Sequence, residues 1–521
     1  MVEFRQGVKG RGHVRVRRAE GLLVDRHRGR LPLLADRPGA PGGAQVSLTC
    51  AAAASGQGKV VGPGRRALNR ALPKIGQTSM KNEAIFLTLF VFSAFIFSSL
   101  HPTTAAARVI LYVDQNNANC SDSGSGSQAQ PFCHIQPGAT QATAGTTVDV
   151  ASGTYSENVT PAHSGTSAAP IVFTAGSEGT VTVSGQTHGF TVSSKSWITL
   201  HGFTVTSTSG DGIYVSGSNN ITVMNNTVNT AGHPVSGQIA RGIRLNNTND
   251  STVTGNTVHD NTDAGIYVTG SSTRNTISSN VAHNNARQYT RAAPGIDIRS
   301  PGNTIMNNVT HDNEDSGIQI YPGADNSLVV NNVTYNNGDH GIDNLNVTGG
   351  RIIGNTVYHN CTSGINVEGT SSNYLVENNI AVDNAVYPAY KGIACSRRRG
   401  NVGIYDSAPS GTRANYNLVW LTTSGILYHW GGTHYTHLSD LQAATSQERN
   451  GLQADPKWLS PSTWDLHLSA GSPAIDSADS GASGQQSSDV EGNARFDDPA
   501  TPDTGAGPRT YDDRGAYEYH F

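Results

Sequence analysis

The stretch GIDIRSPGNTIMNNVTHDNEDSGIQIYPGADNSLVVNNVTYNNGDHGIDNLN spans residues 295–346. Three times it opens on Gly-Ile, adds a polar residue, turns, and meets an Asn-rich patch. Outward from it, Gly-Ile or Gly-Phe pairs begin at Gly189, Gly212, Gly242, Gly265, Gly295, Gly317, Gly341, Gly364 and Gly392. The steps are 23, 30, 23, 30, 22, 24, 23 and 28 residues. A second marker keeps the same period: Asn226, Asn256, Asn280, Asn308, Asn332, Asn355 and Asn379 each precede a short β-branched run. The period is too short for tetratricopeptide, ankyrin or WD40 units, and no leucine consensus accompanies it. Val, Ile, Thr and Asn dominate each unit, which favours strands and turns over helix. About 22–24 residues, with three short strands per unit, make one coil of a parallel β-helix.

Strand side chains alternate between faces. The position after each glycine holds Ile213, Ile243, Ile266, Ile296, Ile318, Ile342, Ile365 and Ile393. Two residues further stand Val215, Leu245, Val268, Ile298, Ile320, Asn344, Val367 and Cys395. These two columns are expected to face the core, with Asn344 as the polar intruder. The alternate columns are expected to face solvent. The first, at Gly+2, runs Tyr214, Arg244, Tyr267, Asp297, Gln319, Asp343, Asn366 and Ala394. The second, at Gly+4, runs Ser216, Asn246, Thr269, Arg299, Tyr321, Leu345, Glu368 and Ser396. The repeated asparagines are expected to ladder their amides along the axis and to tolerate left-handed backbone at a tight turn.

The ends read differently. Residues 1–79 carry fifteen Lys/Arg against four Asp/Glu, with no sustained apolar period. Residues 80–107, MKNEAIFLTLFVFSAFIFSSLHPTTAAA, place Lys81 before the apolar run Ile85–Leu100 and end on Ala105 and Ala107. That is the order of a secretory signal peptide. The expected start is therefore Met80. Residues 1–79 then become a mistranslated upstream segment or a disordered extension, and the product is secreted. The mature chain, 108–521, would have 414 residues with 19 basic and 34 acidic side chains, a net charge of −15. Such a charge excludes a nucleic-acid partner. No membrane span is expected in the mature chain, and a monomer is. Cys120 and Cys133, in a Gly/Ser-rich loop of an exported protein, are expected to pair. Cys361 and Cys395 are expected not to pair, because the repeat places them at opposite ends of neighbouring strands.

Residues 111–158, with LYVDQNN, then PFCHI, then VASGTYSENV, resemble the opening of secreted β-helix proteins. GSPAID (471–476), DVEGNAR (489–495) and DRGAYEY (513–519) resemble a C-terminal module found on such proteins. The whole resembles a right-handed parallel β-helix of the pectin-lyase type, and among enzymes the family 9 pectate lyases. The implied organisation is an N-terminal cap with first coils over 108–188, repeats over 189–414, and an irregular C-terminal capping module over 415–521. In that module Trp420, Trp430, Trp458 and Trp464 are read as packing residues.

The resemblance implies a Ca²⁺-dependent lyase acting on a uronate-containing polysaccharide by β-elimination. Family 9 calcium motifs resemble D-D-G-F-D; here EDSGIQ (314–319) and DHGID (339–343) come nearest, and neither is complete. The family's base is a lysine, yet none occurs between Lys195 and Lys391. The lyase reading therefore assigns His340 or Arg299 as base, with Asp343 and Asp297 beside them and Asp315, Asp339 and Asp343 around Ca²⁺. Substrate contacts are assigned to Arg244, Tyr267, Gln319, Tyr321, Asn366 and Glu368, and to Arg287, Tyr289 and Arg291 of the insert before Gly295. A rival reading is an inverting glycoside hydrolase using Asp297 and Asp343, whose positions two coils apart suit carboxyls roughly 6.5–9.5 Å apart. A third is a non-catalytic carbohydrate-binding or surface protein.

Overall fold

The computed structural model describes residues 108–232, 239–286 and 293–521, all within one compact unit, Ser99–Phe521. The expected signal peptide, residues 1–79, and Arg287, Tyr289 and Arg291 lie outside the described residues. Strands of two to six residues, separated by turns, follow the coil period. They assemble into three long sheets in which neighbours come from successive coils. The first has 12 strands, from Val109–Val113 to Arg413–Asn415; the second has 12, from Gly153–Tyr155 to Leu452–Gln453. The third has 11, from Phe190–Ser193 to Thr433–Tyr435. Pairing is parallel along all three until the last step of the third sheet, where Ile426–Gly431 turns back antiparallel onto Thr433–Tyr435. This is the expected all-β parallel β-helix. Among the described residues, no helix is long and apolar enough to cross a membrane.

The core is a single apolar column of stacked rungs. Ile213, Val215, Ile243, Leu245, Ile266, Val268, Ile296 and Ile298 are all buried in it. Each such side chain contributes about 1.5–3 kcal/mol of burial. The intruder Asn344 is buried too, but it is satisfied. Its Nδ2 donates to Asn366 O at 2.9 Å, and Tyr374 OH donates to its Oδ1 at 3.2 Å. Helix Ile135–Gln141 brings Ile135 and Ala139 against one end of this core, and helix Leu438–Thr445 brings Leu438 and Leu441 against the other.

Glycine marks each unit for a steric reason. A Cβ on Gly265 would lie 2.6 Å from Gly295 O and 2.8 Å from the Asn285 amide. The next coil and a ladder asparagine already fill that space. The Asn226 column is a continuous ladder of eight residues ending at Asn417. In each rung the backbone N–H and Nδ2 both donate to the next Oδ1, as for Asn280 onto Asn308 at 3.0 and 3.0 Å. Asn417 then donates from its N–H and Nδ2 to Glu448, which closes the row as a terminal acceptor. Left-handed backbone falls one residue earlier than expected, at Asn225, Ser279, Asn307, Asn331 and Asn378. A second ladder, absent from the sequence reading, runs Asn261, Asn285, Asn313, Asn337, Asn360, Asn384 and Asn401.

Three expectations change. The unit beginning at Gly392 is not a coil: Ala389–Tyr390 and Ile393–Ala394 pair antiparallel, and the next rung is Gly400–Tyr405, with Ile365 opposite Val402. Asn384 bonds Asn401 directly, so residues 385–399 form an excursion from the coil. That excursion removes Cys395 from the core column and carries it to Cys361, so these cysteines are joined after all. The Cys120–Cys133 disulfide is present as expected. Lastly, the C-terminal module does not simply cap the end. It lies along the second sheet, burying Trp458, Leu466, Leu468, Ile475 and Ala516 against Val333, Ile380, Val382 and Leu418. Gly515 N donates to Asn378 O at 2.7 Å, and Asn378 Nδ2 donates to Asp479 O at 2.8 Å.

Candidate active site on the third sheet

Parallel pairing without slippage puts the Gly+2 residues in one file. Tyr214 pairs with Arg244, Arg244 with Tyr267, Tyr267 with Asp297, Asp297 with Gln319, Gln319 with Asp343, and Asp343 with Asn366. Six steps of about 4.8 Å make a row about 29 Å long. Asp297 and Asp343 are two steps apart, about 10 Å between Cα atoms.

The row is not the solvated face expected from alternation. Asp297 is 4% exposed, Gln319 1%, Asp343 2% and Asn366 0%. Long side chains from the neighbouring column roof it. Arg299 Nε reaches back to Asp297 Oδ2 at 3.0 Å, and its guanidinium sits 5.0 Å over the Tyr321 ring. Tyr321 OH donates to Asp343 Oδ2 at 2.9 Å. The 385–399 excursion supplies Arg397, which pairs with Asp339, and Arg398, which bridges Glu368 at 2.5 Å and Asp406 at 2.9 Å.

Burial sets the proton affinities. It pushes the Asp297 carboxyl up to about 6; Arg299 opposes the rise, and nearby Asp263 adds to it. Asp343 is also raised by burial, with His340 acting against the rise. Burial works against the charge of Arg299, but Asp297 outweighs it and the guanidinium is held more firmly protonated. His340 lies between partners. Its Nδ1 is 2.8 Å from Thr362 Oγ1, and its Nε2 is 3.7 Å from Asp339 Oδ1 and 4.0 Å from Asp343 Oδ1.

Asp297, Arg299, Gln319, Tyr321, Asp339, His340, Asp343, Asn366 and Glu368 thus share one wall. Arg244 and Tyr267 lie further along the same row, with Arg244 Nη1 3.4 Å from Asp211 Oδ2. Asp315 joins the wall through Gln319 Nε2, which donates to its Oδ2 at 3.3 Å.

Sequence reasoning missed Asp211, Asp263, Arg241, Thr362, Arg397 and Arg398. Arg241 pairs with Asp263 at 2.7 Å and lies 4.6 Å over Tyr267. A legible signal existed for Asp263, because Asp263, Asp315 and Asp339 each stand two residues before a marker glycine. The arginines of the excursion carry no period.

The residues present do not fit the expected calcium centre. Asp343 Oδ1 accepts from Asn366 Nδ2 at 2.6 Å, and Oδ2 from Tyr321. Asp339 Oδ1 accepts from Thr362 Oγ1 at 2.5 Å, and Oδ2 from Arg397. A guanidinium already neutralises the carboxylate that a cation would need. Among the described residues, the acidic triad whose ligand atoms approach within 4.8 Å lies elsewhere, at Asp476, Asp497 and Asp503.

The profile described as "Right handed beta helix region" matches residues 171–321 and 291–439, more than half of the chain. The chain belongs to this right handed beta helix family. Solved β-helix structures resemble it at low identity. Pectate lyase Pel9A shares 17% identity at a TM-score of 0.47, covering 80% of this chain and 98% of that one. The GH136 lacto-N-biosidase from Eubacterium ramulus shares 12% at 0.44, covering 62% and 65%. The A-module of the Azotobacter vinelandii mannuronan C-5 epimerase AlgE4 shares 16% at 0.36, covering 53% and 79%. No curated protein matches the chain. For a right handed beta helix protein, fold leaves the chemistry open.

Proposed function

We propose that this β-helix protein is a secreted polysaccharide-active enzyme, and that the wall of the third sheet hydrolyses a glycosidic bond with inversion. The observation that carries this reading is the Asp297–Gln319–Asp343 file: two buried carboxyls about 10 Å apart at Cα, separated by one rung. That spacing lies near the upper end of the roughly 6.5–9.5 Å carboxyl separation that leaves room for a water. Asp297, half-protonated near pH 6, is the general acid. It gives its proton to the leaving oxygen as the C1–O bond breaks, and Arg299 stabilises the carboxylate that remains. Asp343 takes a proton from the water that attacks C1 on the opposite face. Gln319 Oε1 and Asn366 Oδ1 are buried acceptors with no hydrogen-bond partner. Each of Arg241, Arg244, Arg299, Arg397 and Arg398 already faces an acid. A neutral glycan therefore fits this wall better than a polyuronate.

A second reading has its own observation. His340 and Tyr321 both approach Asp343, and an imidazole beside a phenol could serve as base and acid in β-elimination. One assay separates the two. The full chain is incubated with neutral glycans, polygalacturonate and alginate, with and without chelator, and products are followed by reducing ends and ultraviolet absorbance. Reducing ends from a neutral polymer, unaffected by chelator, are expected. Ultraviolet-absorbing unsaturated products would sink hydrolysis in favour of elimination.

A further inference from the structure

The C-terminal module holds a group of carboxylates that its packing leaves unfinished. Asp476 ends the GSPAID turn with φ at 51°. Its backbone is pinned: Asp476 N donates to Asp513 Oδ1 at 2.7 Å, and Asp476 O accepts from Thr504 N at 2.8 Å and Gly505 N at 3.1 Å. Its side chain is not served in the same way. Asp476 is 0% exposed, yet Oδ2 has no hydrogen-bond partner. Oδ1 has a long contact of 3.5 Å from Asp498 N. A buried oxygen left without a donor costs about 1–3 kcal/mol, and more when charged.

A later loop brings further negative charge to this carboxyl. Ligand atoms of Asp476, Asp497 and Asp503 all lie within 4.8 Å of one another. The charges that act on Asp476 come from Asp503, Asp497 and Asp498, all of like sign. Asp498 is occupied in its own turn, accepting from Ala500 N at 3.1 Å and Thr501 Oγ1 at 2.7 Å. Asp503 Oδ2 accepts from Thr510 Oγ1 at 2.6 Å, which steers the side chain. The contrast with the wall of the third sheet is direct. There the carboxylates of Asp297 and Asp339 meet guanidiniums; here three carboxylates converge on one another.

We infer that Asp476, Asp497 and Asp503 form a structural site for a hard divalent cation, Ca²⁺, in the C-terminal module. The ligands are all oxygen, with neither imidazole nor thiolate in the group, which selects hard cations. Asp497 and Asp503 are exposed. The open side leaves room for the waters that complete the six to eight ligands of Ca²⁺, whereas Mg²⁺ demands a tighter octahedron. The ion joins the GSPAID turn to the loop 497–503. It thereby stiffens the module that lies along the second sheet. This inference is independent of the hydrolytic reading.

The test uses the full chain, stripped with EDTA and dialysed, and titrated with CaCl₂ by calorimetry and by thermal melting. One equivalent is expected to bind with a Kd of about 10⁻⁴–10⁻³ M, the range of extracellular modules. The melting midpoint should rise with calcium concentration. Asp497→Asn combined with Asp503→Asn should weaken that binding at least about tenfold and flatten the rise in melting midpoint. These are exposed positions, so the variant tests binding without emptying the core. Asp339→Asn, on the other wall, should keep the equivalent. Absence of binding by the parent chain, unchanged binding by the double variant, or loss of the equivalent in Asp339→Asn would each overturn the site.

Discussion

Two polar files run along the coil, and they are built on opposite principles. The ladder from Asn226 to Asn417 repeats one residue, and each member satisfies the next. The file from Tyr214 to Asn366 changes residue at every rung, and its acids Asp297 and Asp343 are met from the neighbouring column, by Arg299 and Tyr321. Both are buried over Asp297 to Asn366. Repetition therefore marks polar groups that solve the coil's own hydrogen bonding. Variation at the same depth marks groups that the coil does not need, and whose burial has to be offset by partners from elsewhere.

That comparison can be broken most forcefully at Asp297 and Asp343. Asp297→Asn or Asp343→Ala should lower kcat/KM about 10²–10⁴-fold, the usual worth of a general acid or base. Circular dichroism should remain that of a β-rich chain. Full activity in either variant would remove the file from the chemistry.

Asn308→Ala should do the reverse. It leaves the Asn280 N–H without its acceptor and removes the Asn308 donor from Ile277 O, while Asn280 Nδ2 keeps Val253 O. A loss of about 2–6 kcal/mol is expected from urea unfolding, at about 1–3 kcal/mol for each of these two groups. Activity of the folded fraction should be retained. A stability loss below about 0.5 kcal/mol would show that the ladder is ornamental rather than structural.

The smallest effect is in pH. Folded Asp297 holds its proton up to about 6, whereas the unfolded chain releases it near 3.8. Between those values the native state binds more protons, so this group makes stability fall as pH rises. Asp297→Asn should gain melting temperature relative to the parent as pH goes from about 4 to about 7. The parent's kcat/KM should decline as pH passes about 6, where the acid loses its proton. A parent and variant whose melting curves shift in parallel would contradict a raised Asp297.

Much of the architecture was readable because a solenoid turns sequence period directly into space. Gly317 and Gly341 are one period apart, so Gln319 and Asp343 had to become neighbours once pairing was parallel. The asparagine ladder was readable for the same reason. The burial of Asp297 was not. Alternation says which face a side chain leaves from, but not what later folds over that face. Arg397 and Cys395 belong to an excursion whose length breaks the count. The false glycine at 392 therefore misplaced one rung and hid a disulfide. The C-terminal module likewise showed motifs without a period, and nothing in GSPAID or DRGAYEY tells which sheet it will cover.

By itself the sequence determined the coil, the core columns and the order of Asp297, Gln319 and Asp343 along one wall, because strand alternation and a constant repeat are local rules. Only tertiary structure decided that this wall would be roofed, that Arg299 and Arg397 would meet its acids, and that Asp476 would be left facing Asp497 and Asp503. Those outcomes depend on where irregular segments return in space, and proton affinity and ion binding follow from what surrounds a carboxylate.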